Sequence, residues 1–221
     1  MKTAILFDLD GTLLDTLEDL KDGVNYALRA HGYPERSLEE VRCFVGNGAY
    51  RLNRLAAPEE ASEEEVRALF DTFRSYYGTH CQIKTKPYAG ILETLERLKG
   101  EYPLAIVSNK PDSAVKTLCA DYFPGIYALG EAADCPRKPA PDMVYKAMAV
   151  LGAEKCIYVG DSEVDVLTAK NAGVPCISVL WGFRDKRELE EAGAEVFCQK
   201  AEDLAGILRQ TVGVDAHIDP Q

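Results

Sequence analysis

The chain has 221 residues, of which 47% are hydrophobic and 28% are charged, and its formal net charge at pH 7 is -11. This composition is typical of a soluble globular protein and excludes a largely disordered chain. The acidic excess, together with the lack of any block of Lys and Arg, argues against nucleic acid as a partner. An anionic substrate would be repelled at long range, so its site must gather local positive charge.

The sequence predicts a cytoplasmic protein without a membrane span, present as a monomer or a homodimer. Its first apolar run, residues 4–7, is too short for a signal peptide and is followed at once by Asp8. No stretch approaches the ~18 consecutive apolar residues of a transmembrane helix. The cysteines are scattered and form no C-x-x-C pair, which is typical of free thiols in a reducing compartment.

Short apolar runs alternate with helical patterns along most of the chain. The runs predicted as buried parallel strands are 3–7, 104–107, 157–159 and 176–179. The segments predicted as helices from apolar spacing and from Pro and Gly positions are 91–98, 111–119, 141–151 and 164–172. This alternation predicts an α/β fold with a doubly wound parallel sheet.

Residues 16–86 interrupt the alternation, because they contain no convincing strand and several helix signals. Capping-box sequences begin at Ser37 and Ser62, and apolar residues after the second one recur at helical spacing. We therefore predict a small helical cap at 16–86, inserted after the first strand into a core made of 1–15 and 87–221. The last residues, 212–221, show no clear pattern and are predicted to be mobile.

Two carboxylates, Asp8 and Asp10, follow the first predicted strand, at the edge of an open α/β sheet where ligands bind. Side chains two residues apart on an extended segment face the same way, so these carboxylates would repel each other without a cation. Residues 8–12 fit a simple turn equally well. Ser108, Asn109 and Lys110 follow the second predicted strand, where they offer a hydroxyl, an amide and an ammonium to a ligand, or an N-cap to the next helix.

Two further strand ends carry charge. Lys138 precedes two prolines, which hold it in an extended segment, although a lone Lys is more often a solvated surface residue. Asp161 and Asp165 follow the third predicted strand, four residues apart on one face of the helix that begins there. Acidic residues at a helix N-terminus also complement the helix dipole without any ligand. Each position has a simple structural explanation, but the four polar groups together predict one site.

The stretches FDLDGT, IVSN, RKP and GDSEVD occur in this order and resemble the motifs of haloacid dehalogenase-like phosphatases. The resemblance spans nearly the whole chain, and D-x-D-G-T after a strand is a specific motif. It implies a Rossmann-like core with an inserted cap and a magnesium-dependent phosphatase. The stretches VGNGA and GDSEVDVLTAKNAGV are similar to phosphoglycolate phosphatases within this superfamily. Superfamily members that dehalogenate lack the second aspartate of the first motif, so Asp10 favours phosphate chemistry.

The resemblance implies a role for each motif. Asp8 is expected to attack phosphorus and form an aspartyl-phosphate. Asp10 is expected to protonate the leaving alkoxide and then to take a proton from the attacking water. Lys138 is expected to neutralise the charges of Asp8 and of the bound phosphate. The expected hydrogen-bond donors to the phosphoryl oxygens are Thr12, Ser108 and Asn109.

Mg²⁺ is the cofactor that the resemblance implies. Its expected ligands are Asp8, the main-chain carbonyl of Asp10, and Asp161, with Asp165 as a metal-site carboxylate in a supporting position. Such an ion offsets the repulsion between an attacking carboxylate and a phosphate dianion.

Selectivity is expected to come from the cap, which closes over the site. Gly46, Asn47 and Gly48 are predicted to open a helix whose free N–H groups face an anion, and Arg51 lies one turn further on. A solvated helix residue is the simpler interpretation of any one Arg. The expected partner is a small phosphorylated metabolite, with 2-phosphoglycolate as the leading choice.

Other functions remain open from the sequence. A sugar-phosphate mutase of the same superfamily would return the phosphoryl group to its substrate, and a pyrophosphatase or nucleotide phosphatase is a further alternative. A non-catalytic phosphate-binding protein is disfavoured because all the chemical residues are intact.

Overall fold

In the computed structural model, residues 2–133 and 135–215 are described and contain eight strands and ten helices. The strands are β1 (Thr3–Phe7), β2 (Leu14–Asp15), β3 (Lys86–Pro87), β4 (Leu104–Pro111), β5 (Tyr127–Glu131), β6 (Lys155–Gly160), β7 (Cys176–Val179) and β8 (Val196–Cys198). The helices are α1 (Leu17–Ala30), α2 (Leu38–Phe44), α3 (Ala49–Ala56), α4 (Glu63–His80), α5 (Ile91–Lys99), α6 (Asp112–Tyr122), α7 (Asp142–Leu151), α8 (Glu163–Ala172), α9 (Lys186–Glu191) and α10 (Ala201–Asp215).

Six strands form one parallel sheet in the order β5-β4-β1-β6-β7-β8. The central strand, β1, contributes side chains to two cores on opposite faces. Ile5 and Phe7 belong to one buried cluster, and Ala4 and Leu6 belong to the other. Because both faces are covered by helices, this strand is a continuous apolar run, and the chain adopts a doubly wound α/β fold.

The predicted parallel α/β fold is confirmed, and each of the four predicted strands is present. Two of them are longer than expected, because β4 continues to Pro111 and β6 spans Lys155–Gly160. The sequence does not predict the edge strands β5 and β8. The first of these mixes apolar residues with Gly and Glu, and the second has only three residues, so neither has the buried pattern of a central strand.

Helices α1 to α4 lie in the segment between β2 and β3. These two short strands pair antiparallel, so the chain enters and leaves this helical segment at one place. The buried carboxylate of Asp19 strengthens this crossing, since it accepts hydrogen bonds from the N–H groups of Lys84 and Thr85 at 3.0 and 2.8 Å. Both predicted capping boxes are present, at Ser37 before α2 and at Ser62 before α4.

The C-terminal helix α10 packs beside α5, where Thr94 Oγ1 donates to Ala201 O at 2.9 Å. Residues 212–215, which the sequence predicts to be mobile, belong to this helix, and 216–221 lie outside the described residues. Within 2–133 and 135–215, every helix is too short or too polar to cross a lipid bilayer.

Candidate active site

A pocket lies at the carboxyl edge of the sheet, where the helical segment 17–80 covers the ends of β1, β4 and β6. The order of the sheet reverses between β1 and β6, and ligands bind at such a point in doubly wound folds. Asp8 and Asp10 enter the pocket after β1, Ser108 enters from β4, and Asp161 enters after β6. The helical segment supplies the facing wall, which is formed by Leu20, Val45, Gly46, Gly48, Ala49, Leu52, Phe73 and Tyr77.

Lys138 is buried at the base of the pocket and joins two carboxylates. Its Nζ lies 2.8 Å from Asp8 Oδ1 and 2.8 Å from Asp165 Oδ1, and it donates to the Tyr158 hydroxyl at 3.0 Å. An ammonium has three N–H groups, so these three partners use all of its donors. Burial opposes the positive charge, but Asp165 and Asp8 outweigh burial, so the pKa of Lys138 lies well above its usual value.

Asn109 positions the segment that carries Lys138. Asn109 Oδ1 accepts from Lys138 N at 2.8 Å, and Asn109 Nδ2 donates to the carbonyl oxygens of Lys138 and Gly46 at 3.0 and 3.2 Å. Asn109 lines the pocket, but its side-chain amide is occupied by main-chain groups, so hydrogen bonding from Asn109 to a phosphoryl oxygen stays a prediction. Ser108 lines the pocket with its hydroxyl, which accepts from Lys110 N at 3.2 Å and keeps its own O–H free to donate.

Asp161 is held by the loops that follow β1 and β7. Its Oδ1 accepts from the Thr12 hydroxyl at 3.1 Å, and its Oδ2 accepts from Phe183 N at 2.7 Å. Gly11 has a φ of 86°, and a Cβ at this position would collide with the Asp161 carboxylate. Thr12 is fully buried and outside the pocket wall, so its hydroxyl orients Asp161, whereas the sequence predicts it as a phosphate ligand.

Asp165 lies behind the pocket, and both of its oxygens are occupied. Oδ1 accepts from Lys138 Nζ at 2.8 Å and from the Tyr158 hydroxyl at 3.1 Å. Oδ2 accepts from Asp161 N at 3.2 Å, Ser162 N at 3.1 Å and the Ser162 hydroxyl at 2.6 Å. The carboxylate therefore fixes the lysine and the start of α8.

Asp8, Asp161 and Asp165 form a buried acidic group, with one oxygen of each within 4.8 Å of the others. Burial raises the pKa of Asp8 well above its usual range, the neighbouring carboxylates add to the rise, and Lys138 opposes it. Burial, followed by the charge of Asp165, raises the pKa of Asp161 to about 7. Buried carboxylates at this spacing repel one another without a cation, so the group fits a divalent ion that prefers oxygen ligands. Asp8 and Asp161 are the members with oxygens still able to coordinate it.

Asp10 is held separately from that acidic group. Its Oδ1 accepts from the Thr16 hydroxyl at 2.7 Å and from Lys110 Nζ at 2.8 Å. The Lys110 ammonium is buried and lies 4.9 Å from the centroid of the Tyr77 ring on α4. Burial opposes the charge of Lys110, but Asp10 and Tyr77 outweigh burial, so its pKa is raised. Asp10 therefore enters the pocket next to a fixed positive charge.

Arg184, in the loop after β7, connects the two walls of the pocket. Its guanidinium donates to Arg42 O at 3.1 Å, to Val45 O at 2.7 Å and to Glu163 Oε2 at 2.8 Å. Arg42 returns a hydrogen bond to Phe183 O at 3.2 Å. The N–H of the same Phe183 binds the carboxylate after β6, so one residue links the acidic group to the helical segment.

The structure does not bring Arg51 to the pocket. Helix α3 directs Ala49 and Leu52, three residues apart, towards the pocket, whereas the side chain of Arg51 is exposed. Adjacent helical residues are rotated by about 100°, which accounts for this difference. Gly46 and Gly48 line the pocket and Gly48 precedes α3 as predicted, but Asn47 is not part of the wall.

Two polar pocket residues, Tyr77 and Arg184, have no predicted role from the sequence, whereas Lys110 is predicted as the ammonium of a polar strand end. Lys110 stands two residues after Ser108 on one strand, so strand alternation places both on the same side. Tyr77 belongs to the apolar stripe of α4 and looks like an ordinary core residue in the sequence. Nothing in the sequence around Arg184 distinguishes it from a solvated surface residue.

The fold and the site define the class of protein. The chain belongs to the haloacid dehalogenase-like hydrolases, whose family model matches residues 5–179. This match covers the helical segment and every strand of the large sheet except β8. The family resemblance of the sequence motifs is confirmed.

Phosphoglycolate phosphatases are among the relatives of the chain. The enzyme of Rhodobacter capsulatus is 38% identical over 194 residues, which cover 83% of this chain and 87% of that protein. Phosphoglycolate phosphatase 1 of Pseudomonas aeruginosa is 33% identical over 211 residues, covering 90% and 77%. A crystal structure from Lactobacillus delbrueckii subsp. bulgaricus, provisionally assigned to the same activity, has a TM-score of 0.87 and 39% identity, covering 92% and 97%. These similarities confirm the prediction of a phosphatase in the phosphoglycolate phosphatase-like subgroup.

Proposed function

We propose that the protein hydrolyses a small phosphate monoester, with Asp8 as nucleophile and Mg²⁺ as cofactor, and that its substrate is 2-phosphoglycolate. The observation that carries the chemistry is the position of Asp8, which is buried beside Lys138 and grouped with Asp161. The activity of the relatives supports the choice of substrate.

The reaction proceeds in two steps. Asp8 attacks phosphorus with a carboxylate oxygen, and the bond from phosphorus to the alkoxide oxygen breaks as Asp10 donates its proton to that oxygen. Asp10, now ionised, takes a proton from water, and the water oxygen attacks phosphorus and releases phosphate and Asp8. Acid–base catalysis of this kind contributes ~10²–10⁴-fold. Lys138 and the Ser108 hydroxyl stabilise the negative charge of the phosphoryl oxygens.

The Mg²⁺ would be held by the carboxylates of Asp8 and Asp161 and by the main-chain carbonyl of Asp10. When bound, the ion supplies positive charge beside the nucleophile and the phosphoryl group. Asp165 keeps Lys138 and the loop after β6 in place, and Thr12 fixes the orientation of Asp161. Asp165 and Thr12, which do not line the pocket, therefore act on residues that do.

We also propose that residues 16–86 act as a cap on a core formed by 1–15 and 87–221. The antiparallel pair β2–β3 is the compact crossing between these parts. In the closed arrangement, Arg184 joins the walls and the apolar side chains of α3 and α4 cover the nucleophile. Closure excludes bulk water while the first step proceeds.

The pocket encloses about 60 Å³, which suits a small phosphorylated metabolite and keeps a macromolecule away from the buried nucleophile. A cytoplasmic location and a monomeric or homodimeric state stay predictions from the sequence.

A substrate panel tests the function. Purified protein with Mg²⁺ is assayed for phosphate release from 2-phosphoglycolate, glycerol phosphate, pyrophosphate and a nucleoside monophosphate, and β-glucose 1-phosphate is assayed for isomerisation. The highest kcat/KM is expected with 2-phosphoglycolate. If another compound of the panel gives a higher kcat/KM, that compound replaces 2-phosphoglycolate as the proposed substrate. Isomerisation of β-glucose 1-phosphate without phosphate release identifies a mutase. No turnover of any member or of an aryl phosphate would contradict the phosphatase.

A further inference from the structure

A substrate carboxylate needs a cation in the pocket, and the cap wall has none. Three cationic side chains line the pocket in the described part of the chain, namely Lys110, Lys138 and Arg184. Each comes from the core side of the pocket. The cation that binds the carboxylate must have hydrogen-bond donors that are not already used.

Lys138 has no donor to spare, and Arg184 uses four of its five N–H groups. Lys138 directs its three N–H groups to Asp8, Asp165 and the Tyr158 hydroxyl. Arg184 uses its guanidinium on Glu163 and on two carbonyl oxygens of the cap. Breaking either set would disturb the nucleophile or separate the two walls.

Lys110 differs from both. Its ammonium donates to Asp10 Oδ1 at 2.8 Å and lies over the ring of Tyr77, near the hydroxyl of that residue. The Tyr77 hydroxyl is buried and has no partner at hydrogen-bond geometry. An unsatisfied buried hydroxyl destabilises a fold unless a ligand completes it. Both residues line the pocket, so a ligand carboxylate beside them could accept hydrogen bonds from the Lys110 ammonium and from the Tyr77 hydroxyl.

The position of Lys110 also matches the leaving group. Asp10 must reach the ester oxygen that it protonates, and Lys110 Nζ lies 2.8 Å from Asp10. In 2-phosphoglycolate a single carbon separates this ester oxygen from the carboxylate. The carboxylate is therefore expected on the side of Asp10 where Lys110 lies.

We propose that Lys110 and the Tyr77 hydroxyl form the subsite for the carboxylate of the substrate, and that they select phosphorylated small carboxylic acids. This inference rests on the proposed function and names the side chains that replace Arg51 in substrate recognition. The rest of the pocket wall also favours phosphorylated small carboxylic acids over sugar phosphates. Leu20, Leu52 and Phe73 offer no hydrogen bonds, so the hydroxyl groups of a sugar would lose their partners in water without gaining new ones.

The test compares kcat/KM for 2-phosphoglycolate with kcat/KM for ethyl phosphate, which has a similar size and no carboxylate. The intrinsic reactivities of the two esters cancel when the ratio is compared between variants. Tyr77→Phe is expected to lower the ratio about tenfold, because it removes one hydrogen bond to a charged group. Lys110→Met is expected to lower it on the order of 100-fold, because it removes the charge as well.

Lys110→Met also removes the partner of Asp10, so both substrates are turned over more slowly and only the ratio is informative. Tyr77→Phe keeps the ring and tests the subsite independently if the lysine variant does not fold. Tyr76→Phe is the matched control on the same helix, because Tyr76 stacks on Tyr26 and His80 outside the pocket. Its ratio is expected to equal that of the wild type.

The outcomes separate this inference from the function on which it rests. A wild-type preference for 2-phosphoglycolate that falls in both variants, and persists in Tyr76→Phe, supports the subsite. The same preference left unchanged in both variants overturns the subsite alone. A wild-type protein that hydrolyses ethyl phosphate as efficiently as 2-phosphoglycolate overturns the proposed substrate and the subsite together.

Discussion

The two walls of the pocket differ in polarity: one carries buried charged groups, and the other is largely apolar. On the core side, carboxylates and lysines are buried in fixed hydrogen bonds, as in the contacts of Lys138 with Asp8 and Asp165. On the side of the helical segment 17–80, the wall is largely apolar, and the Tyr77 hydroxyl is a buried polar group with no partner at hydrogen-bond geometry among the described residues. In the proposed function, the strand-end wall therefore supplies the chemistry, whereas the helical wall excludes water and limits the size of the substrate.

The largest expected effect on activity comes from replacing the nucleophile, Asp8. Asp8→Asn is expected to lower kcat by ~10⁴ or more, because an amide is a poor nucleophile of nearly the same shape. The melting temperature should not fall, since the change removes one of several mutually repelling buried carboxylates. Asp203→Asn, in an exposed position on α10, is the control with unchanged activity. Activity within tenfold of the wild type would remove Asp8 from this role.

Removal of the metal tests the acidic group of the core as a unit. Chelation is expected to abolish turnover, Mg²⁺ should restore it, and Ca²⁺ should substitute poorly because it takes more ligands in a looser geometry. At a Mg²⁺ concentration of 100 times Kd, binding stabilises the fold by about 2.7 kcal/mol, or roughly 5–10 °C in Tm. Asp161→Asn should lose most of this shift in calorimetry. Full turnover in EDTA after complete metal removal is the contrary result.

Removing the hydrogen bonds that join the two walls of the pocket should have an intermediate effect on kcat/KM. Arg184→Met removes donors to Arg42 O, Val45 O and Glu163, so the closed cap is less populated and kcat/KM is expected to fall about tenfold. Arg187→Met is the control, because Arg187 on α9 is exposed and pairs with Glu191 on the same helix. Unchanged kcat/KM and unchanged protease sensitivity of the 16–86 segment would show that these contacts do not hold the cap.

The smallest effect is expected at Arg51 on the cap. Its side chain is exposed and outside the pocket wall, so Arg51→Ala should change kcat/KM for 2-phosphoglycolate less than about twofold, as exposed substitutions usually do. A fall of tenfold or more that is specific to substrates with a carboxylate would place Arg51 in recognition, as the sequence pattern suggests.

The same division explains what the sequence can predict. Asp8 and Asp161 follow predicted strands, and Lys138 precedes two prolines. These local patterns are strong, so short segments predict the catalytic residues and the order of the strands. The orientation of Arg51 depends on which face of α3 packs over the pocket, and α3 is only eight residues long. The partners of Thr12 and Asn109 lie far away in sequence, at Asp161 and Lys138, and only the folded chain brings them together.

The central claim is that Asp8 receives the phosphoryl group. The most direct measurement is a crystal structure of the protein with Mg²⁺ and beryllium fluoride, a mimic of a phosphoryl group on a carboxylate. The account predicts a trifluoroberyllate bonded to one Asp8 carboxylate oxygen, beside Lys138 Nζ and the Ser108 hydroxyl, with the metal on Asp8 and Asp161. An adduct on Asp10 or another carboxylate, with Asp8 left unmodified, would contradict it.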